Sequence, residues 1–114
     1  MSAITTHVLD TARGRPAEGV PVLLETQEAG GGWRVLGGGR TDADGRLRDL
    51  LPPGHALVAG AYRLTFGTAE YFAAHATSAF YPFVAVVFAV QDAAEHYHVP
   101  LLLSPYGYST YRGS

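Results

Sequence analysis

The sequence consists largely of short apolar runs separated by turn-forming clusters, and this pattern constrains the fold more than any other feature. Clusters of Gly, Pro, Asp and Ser interrupt the chain about every 8–12 residues, a spacing typical of a two-sheet β-sandwich. Fourteen glycines and seven prolines favour the same turn-rich β class. We predict one all-β domain over residues 1–114, a two-sheet sandwich of about eight strands with one short helix. The predicted strands cover residues 4–10, 20–25, 33–36, 46–50, 61–66, 83–90, 96–103 and 106–111.

One short helix is predicted at residues 68–76. Thr68 is expected to cap its start, because a threonine hydroxyl can accept a hydrogen bond from a free N–H of the first turn. Tyr71 and Phe72 begin a stripe of helical spacing that continues to His75. This stripe would pack the helix against the sandwich.

Composition excludes several classes of function. The net charge of −2 with no basic cluster argues against a nucleic-acid partner. No apolar run approaches the roughly 20 residues of a membrane span, so no membrane partner is expected. The first residues lack the charged and apolar regions of a signal peptide, which predicts a cytoplasmic protein. The absence of Cys excludes disulfides and a nucleophilic thiol, and the absence of Lys excludes Schiff-base chemistry.

Two predicted strands are apolar on both faces, in residues 84–90 and 101–103. A single sandwich buries only one face of each sheet, so the outer face is expected to meet another subunit. The alternative is that the helix or a loop of the same chain covers these strands.

The pair His96 and His98 is the clearest chemical signal. Side chains alternate along a strand, so both rings point the same way. A neutral imidazole in a pocket can act as a general base, although a histidine on a strand is more often a half-exposed surface residue. Two such rings can also ligate zinc, but a third ligand would have to come from His7, His55, His75 or a carboxylate, and no spacing signature supports one.

His7 and Arg46 carry weaker signals on their own. His7 lies in the first predicted strand and could be a partly buried structural residue. Arg46 follows the turn at residues 41–45 and could simply pair with Asp42 or Asp44. Its planar donors could equally hold the carbonyl oxygens and ring nitrogens of a flat heterocycle.

Five motifs resemble one known family along the whole chain. The chain is similar to the 5-hydroxyisourate hydrolases, the transthyretin-like enzymes of urate breakdown. The matching motifs are Thr6-His-Val-Leu-Asp10, Gly14-x-Pro-Ala17, Thr41-Asp-x-Asp-Gly-Arg46, Gly60-x-Tyr-Arg63 and the segment from His96 to Ser114.

The resemblance implies a fold, an assembly and an active site. The fold would be a transthyretin-like sandwich, and the assembly a homotetramer, a dimer of dimers with sites at its subunit interfaces. The catalytic residues would be His7, Arg46 and His98, with neither a metal nor another cofactor. The substrate-binding residues would be His96, Tyr111, Arg112, Gly113 and Ser114.

The implied reaction opens the six-membered ring of 5-hydroxyisourate to 2-oxo-4-hydroxy-4-carboxy-5-ureidoimidazoline. Because the chain has neither Cys nor Lys, direct attack by water is the simplest mechanism. His7 and His98 would hold and deprotonate the water, and which of them is the base stays open. A hormone carrier on the same scaffold is the alternative, but the carriers lack both histidines, the arginine and the terminal Tyr-Arg-Gly-Ser.

Overall fold

The computed structural model describes residues 2–114 and contains two β-sheets and one short helix. Over these residues it has nine strands, two of them only two residues long. In chain order the elements are β1 (Ile4–Asp10), β2 (Arg15–Pro16), β3 (Pro21–Gln27), β4 (Trp33–Arg40), β5 (Arg46–Leu47), β6 (Gly60–Phe66), α1 (Thr68–Ala74), β7 (Val84–Val90), β8 (Tyr97–Ser104) and β9 (Gly107–Thr110).

The first sheet carries the predicted site residues. Its strand order is β2-β1-β8-β9, and β5 also pairs with β1. β1 and β8 run parallel, whereas the other pairs of this sheet are antiparallel. The second sheet is antiparallel throughout, with the order β4-β3-β6-β7. Because β1 pairs with both β5 and β8, it brings two distant parts of the sequence to one surface.

The core lies between the inner faces of the two sheets. In β1 the residues with even numbers point inward, and Ile4 and Val8 are completely buried. Each large apolar side chain buried in this way contributes about 1.5–3 kcal/mol of transfer free energy. The predicted two-sheet sandwich is therefore confirmed. Its most deeply buried large side chains include Tyr62, Phe66, Leu24, Leu64, Leu101 and Leu103.

The start of the helix differs from the prediction. Gly67 is the N-cap residue, no side chain caps the helix, and Thr68 is its first residue. The Thr68 hydroxyl is buried without a hydrogen-bond partner, so the prediction that it caps the helix was wrong. Tyr71 holds the helix to the first sheet instead, because its hydroxyl donates to the buried Asp10 carboxylate at 2.7 Å.

The helix ends at Ala74, two residues earlier than predicted, because the chain reverses at Ala76. Ala76 has a φ of 52°, in the left-handed region that alanine rarely adopts. Its N–H donates to the carbonyl of Ala73 at 3.1 Å, and the next N–H, of Thr77, donates to Phe72 at 2.9 Å. This is the hydrogen-bond pattern with which glycine commonly terminates helices.

Replacing Ala76 by Gly is therefore expected to stabilise the fold. Glycine adopts positive φ without the steric cost of Cβ, and part of this gain is lost because the unfolded chain becomes more flexible. The net increase in the free energy of unfolding should be about 0.5–1 kcal/mol. Urea denaturation measures it. The control Ala73→Gly lies inside the helix and should lower stability by about 1 kcal/mol.

The two largest errors in the predicted strand boundaries, at the ends of β4 and β5, have related causes. β4 continues through three glycines to Arg40 instead of ending at Leu36. A Cβ on Gly37 would lie 2.1 Å from the backbone oxygen of Leu50, so glycine here allows close packing within a strand. β5 ends at Leu47 instead of residue 50, because the chain turns inward to bury Leu50.

Among the described residues, no other segment covers the outer face of β7. Val87 is 59% exposed, and neither the helix nor a loop covers it. The alternative that the same chain covers this strand is therefore wrong for β7, while a covering subunit stays a prediction. Within residues 2–114, no helix has both the length and the hydropathy needed to cross a membrane.

Candidate active site

A small cavity lies on the outer face of the first sheet, where β1, β5 and β8 meet. Its volume is about 160 Å³. Four of the predicted site residues line it, together with two threonines and a second arginine. The lining residues are Thr5, Thr6, Arg46, Arg48, His96, His98 and Ser114.

The parallel pairing of β1 with β8 positions the two histidines. Thr5 lies opposite His98 in the register, and its side chain is buried, with 4% exposed. The Thr5 hydroxyl oxygen is 2.8 Å from Nδ1 of His98 and 3.2 Å from Nε2 of His96. Nε2 of His98 has no hydrogen-bond partner among residues 2–114, so this nitrogen is available to a water molecule or a substrate.

The antiparallel pairing of β1 with β5 positions His7 beside Arg46. Nε2 of His7 is 2.9 Å from the carbonyl oxygen of Asp44. Because a carbonyl oxygen only accepts, this nitrogen must carry a proton, and the lone pair of a neutral ring is then on Nδ1. His7 does not line the cavity itself, although it shares the outer face of β1 with Thr5.

The turn before β5 aims Arg46 at the cavity. The Asp42 carboxylate accepts the backbone N–H groups of Asp44 and Arg46, both at 2.9 Å, and the bond to Arg46 is the main reason that the pKa of Asp42 is lowered. Gly45 has a φ of 75°, and a Cβ there would lie 2.3 Å from the carbonyl oxygen of Val8. The Arg46 guanidinium forms no ion pair with a carboxylate in the described part of the chain, where Arg48 contacts Asp42 instead, at 3.7 Å.

Burial and the Arg46 guanidinium favour the neutral forms of His98 and His7 by lowering the pKa of each ring. The pKa of His98 is lowered, first by burial and then by the Arg46 guanidinium, with smaller effects of His7 and His96. The pKa of His7 is lowered by burial and by Arg46, despite the opposing bond to Asp44. Each ring therefore offers one lone pair at the pH where hydrolases act.

The C-terminal segment closes one side of the cavity. The N–H of Gly113 donates to the carbonyl oxygen of His98 at 2.8 Å, which carries Ser114 into the lining. A Cβ on Gly113 would lie 2.6 Å from Cδ2 of His98. Only glycine therefore allows the backbone to pack this closely against the imidazole ring.

Two predicted binding residues point elsewhere. Arg112 lies over the ring of Tyr97, 4.5 Å from its centroid, and contacts Glu95 at 3.7 Å. Tyr111 is 58% exposed and lines a separate, mostly apolar cavity of about 290 Å³ beside β7. Within one chain, the structure brings together Arg46, His96, His98 and Ser114, but not Tyr111 or Arg112.

Comparison with known proteins shows where this arrangement belongs. A model described as the HIUase/Transthyretin family matches residues 4–113, almost the whole chain. The chain belongs to the HIUase/Transthyretin family. A 5-hydroxyisourate hydrolase from Salmonella dublin is 49% identical over 111 residues, which cover 97% of this chain and 80% of that protein. The family resemblance predicted from the sequence is therefore confirmed.

Solved structures from this family confirm the fold. 5-Hydroxyisourate hydrolase of Klebsiella pneumoniae superposes with a TM-score of 0.83 at 36% identity, over 97% of this chain and 92% of that chain. Transthyretin from Sparus aurata superposes with a TM-score of 0.92 at 32% identity, over 99% and 97% of the two chains. Because proteins with both names share the fold, the assignment of an activity depends on the residues of the cavity.

Three cavity residues were missed by the sequence reasoning: Thr5, Thr6 and Arg48. The signal for Thr5 was present, because it lies two residues before His7 and alternation places both on one face of the strand. What the sequence could not show is the parallel register that sets Thr5 beside both His96 and His98. That register depends on which strands pair.

The histidines outside the cavity have other surroundings. His75 follows the helix and contacts Arg13, whose NH1 lies 3.1 Å from its Nδ1. His55 lines a different cavity, next to Leu51 and Gly54. No group of three or more His, Asp or Glu side chains in residues 2–114 is arranged to hold a metal ion.

Proposed function

We propose that this family member hydrolyses 5-hydroxyisourate in urate catabolism, and that the reaction takes place in the cavity between β1, β5 and β8. Relatives that share almost half of its residues over nearly its full length are named 5-hydroxyisourate hydrolases. The observation that carries the assignment of the site is the meeting of His98 and Arg46 in one small polar cavity. A base can deprotonate the attacking water and a cationic donor can stabilise the oxyanion, so this pair of groups suits the hydrolysis of a cyclic amide.

His98 acts as the general base in this proposal. The oxygen of a water molecule forms a bond to the amide carbonyl carbon, and the proton of the water passes to Nε2 of His98. The π electrons of the carbonyl move to its oxygen and give a tetrahedral oxyanion. When the carbonyl re-forms, the ring C–N bond breaks, and His98 returns the proton to the departing nitrogen. The product gains one carboxyl group and one N–H.

Arg46 binds the substrate and stabilises the oxyanion. Its guanidinium forms no ion pair with a carboxylate among the described residues, so its donors are available to carbonyl oxygens of the heterocycle. A preorganised donor of this kind contributes about 3–4 kcal/mol to the stability of a transition state. His7 lies outside the cavity lining but pairs with Arg46 across β1 and β5, and we propose that it helps to orient the water through Nδ1, because its Nε2 is already bound to the carbonyl of Asp44.

The remaining site residues contact substrate from two chains. His96 and Ser114 line the cavity of one protomer and Gly113 packs against His98, whereas Tyr111 and Arg112 line a separate cavity beside β7. We propose that a homotetramer brings these two residues to a neighbouring site. The exposed side chain of Val87, on the outer face of β7, is in keeping with a subunit contact.

Light scattering at micromolar concentration tests the assembly. The expected mass is four times the chain mass of 12.1 kDa. If Tyr111 serves a neighbouring site, activity should also fall on dilution in parallel with dissociation. A fully active monomer would contradict the shared site.

Carbon NMR tests the reaction and its independence of metal ions. Carbon-13 urate is oxidised in place by urate oxidase, and the signals of 5-hydroxyisourate are followed with and without this chain. We expect a new carboxylate carbon to appear faster in its presence, and equally fast after treatment with EDTA. Activity lost to EDTA and restored by zinc would favour the His96–His98 metal site instead. Tight binding without turnover would favour a carrier.

A cytoplasmic location also stays a prediction, which cell fractionation tests.

The lowered pKa of His98 predicts the pH profile of the reaction. A base must be neutral to accept a proton, so kcat/KM should fall as the pH drops through the pKa of His98. Because this pKa is lowered, the acidic limb should lie below the ordinary imidazole value of about 6.5. Activity should therefore be flat from pH 7 downward until this limb begins. A limb at or above the ordinary value would contradict the assignment of His98 as the base.

A further inference from the structure

The buried hydroxyl of Thr5 contacts two histidine rings but has only one proton to donate. Its oxygen lies within hydrogen-bond distance of two imidazole nitrogens, Nδ1 of His98 at 2.8 Å and Nε2 of His96 at 3.2 Å. A hydroxyl can donate only one hydrogen bond, although it can accept two. If Thr5 donates to one histidine, the bond to the other must therefore come from a ring N–H.

Two arrangements satisfy both contacts with neutral rings and also give the buried Thr5 proton an acceptor, since the described residues offer this proton no partner other than the two rings. In the first, Thr5 donates to His96 and accepts from Nδ1–H of His98, which leaves the lone pair of His98 on Nε2. In the second, the donor and acceptor roles are reversed, and Nε2 of His98 carries the proton. Only the first arrangement leaves His98 able to take a proton from a water molecule in the cavity.

The charge of the cavity favours the first arrangement. The Arg46 guanidinium lines the same cavity as the His98 ring and has no carboxylate paired to it within residues 2–114. A nitrogen lone pair directed toward a cation is stabilised, whereas an N–H directed toward it is repelled. Burial of Thr5 excludes the bulk water that would otherwise compete for the two rings.

We propose that Thr5 is a positioning residue that holds His98 in the tautomer with its proton on Nδ1, so that Nε2 is free to act as the base. The catalytic consequence rests on the proposed function, whereas the tautomer itself does not. Removing the partner that fixes the tautomer and orientation of a metal-bound histidine typically costs about 10–100-fold in activity, and we expect a loss of the same order for His98. His96 takes part as the acceptor of the Thr5 proton.

The test compares Thr5→Val with Thr5→Ser in the full chain. Valine keeps the shape and removes the hydroxyl, while serine restores it. We expect Thr5→Val to lower kcat by about 10–100-fold with little change in KM, and Thr5→Ser to recover activity to within a few-fold of the wild type. The control Thr68→Val removes a buried hydroxyl that has no hydrogen-bond partner and should leave kcat unchanged.

Nitrogen-15 NMR of the histidine rings gives a readout that needs no substrate. With both rings neutral, Nδ1 of His98 should show the shift of a protonated nitrogen in the wild type and in Thr5→Ser, but not in Thr5→Val. The His98→Asn spectrum assigns the signals. Two results would overturn the proposal: nitrogen shifts of His98 in Thr5→Val that equal those of the wild type, or a kcat of Thr5→Val that equals the wild-type kcat. If the wild type does not open the substrate ring, the proposed function fails, and the nitrogen shifts still decide the role of Thr5.

Discussion

Replacing His98 by Asn is expected to lower kcat for ring opening by about 10²–10⁴-fold, the range that general base catalysis contributes. The side-chain amide of asparagine can keep a hydrogen bond to Thr5 in place of Nδ1, but it has no group that accepts a proton at neutral pH. The fold should be unaffected, because His98 points to the outer face and the core beneath it is formed by neighbours such as Tyr97 and Val99.

The matched control for this variant is His55→Asn. His55 is exposed and lines a different cavity, next to Leu51. Its replacement should leave kcat, KM and the mass of the assembly unchanged. Turnover of His98→Asn close to that of the wild type would refute the role of His98 as the base, and loss of activity in both variants would indicate a general effect of losing a histidine.

Replacing Arg46 by Gln is expected to lower kcat by about 10²–10³-fold, because the oxyanion loses a preorganised cationic donor. A second effect follows from the electrostatics of the cavity. The guanidinium is the second largest cause of the lowered pKa of His98, so its removal should move the acidic limb of the pH profile upward, toward the ordinary imidazole value. A kinetic loss and a pH shift together identify one residue acting on both the substrate and the base.

Arg34→Gln is the control for the loss of one positive charge. Arg34 lies in β4 of the second sheet, and its side chain forms an exposed contact with Glu28, at 3.8 Å. Neither kcat nor the pH profile should change in this variant. A large fall in kcat for Arg46→Gln without any movement of the limb would separate oxyanion binding from pKa control and would contradict the proximity of Arg46 to His98.

Much of the fold was predictable because strand alternation is a local property. β1 and β7 were predicted with at most one residue of error, since each is a short segment rich in β-branched or apolar residues and is bounded by turn-forming residues. The prediction ended β4 at Leu36, before its three glycines, because glycine is depleted in strands. Their reason lies in packing, where Gly37 leaves room for the backbone of Leu50. Such an approach between distant segments leaves no pattern in the local sequence.

The same distinction between local pattern and long-range packing applies to the site. Alternation alone indicated that His96 and His98 share a face, whereas Arg46 carried only a weak signal of its own and Ser114 entered the prediction only through family resemblance. Their meeting with His98 depends on two strand pairings and on the bond from Gly113 to the His98 carbonyl, all of which join residues far apart in the chain. Thr5 was missed because its two hydrogen bonds exist only in that register.

The most direct measurement is the decay of 5-hydroxyisourate in the ultraviolet. Urate oxidase generates the compound in the cuvette, this chain is added, and the rate is compared with spontaneous decay, with and without a chelator. Accelerated decay that is insensitive to the chelator, and that disappears with His98→Asn, is the result expected for a hydrolase that activates water with this histidine. Decay at the spontaneous rate, from a folded protein of tetrameric mass, would contradict the account and leave a binding protein on the same scaffold.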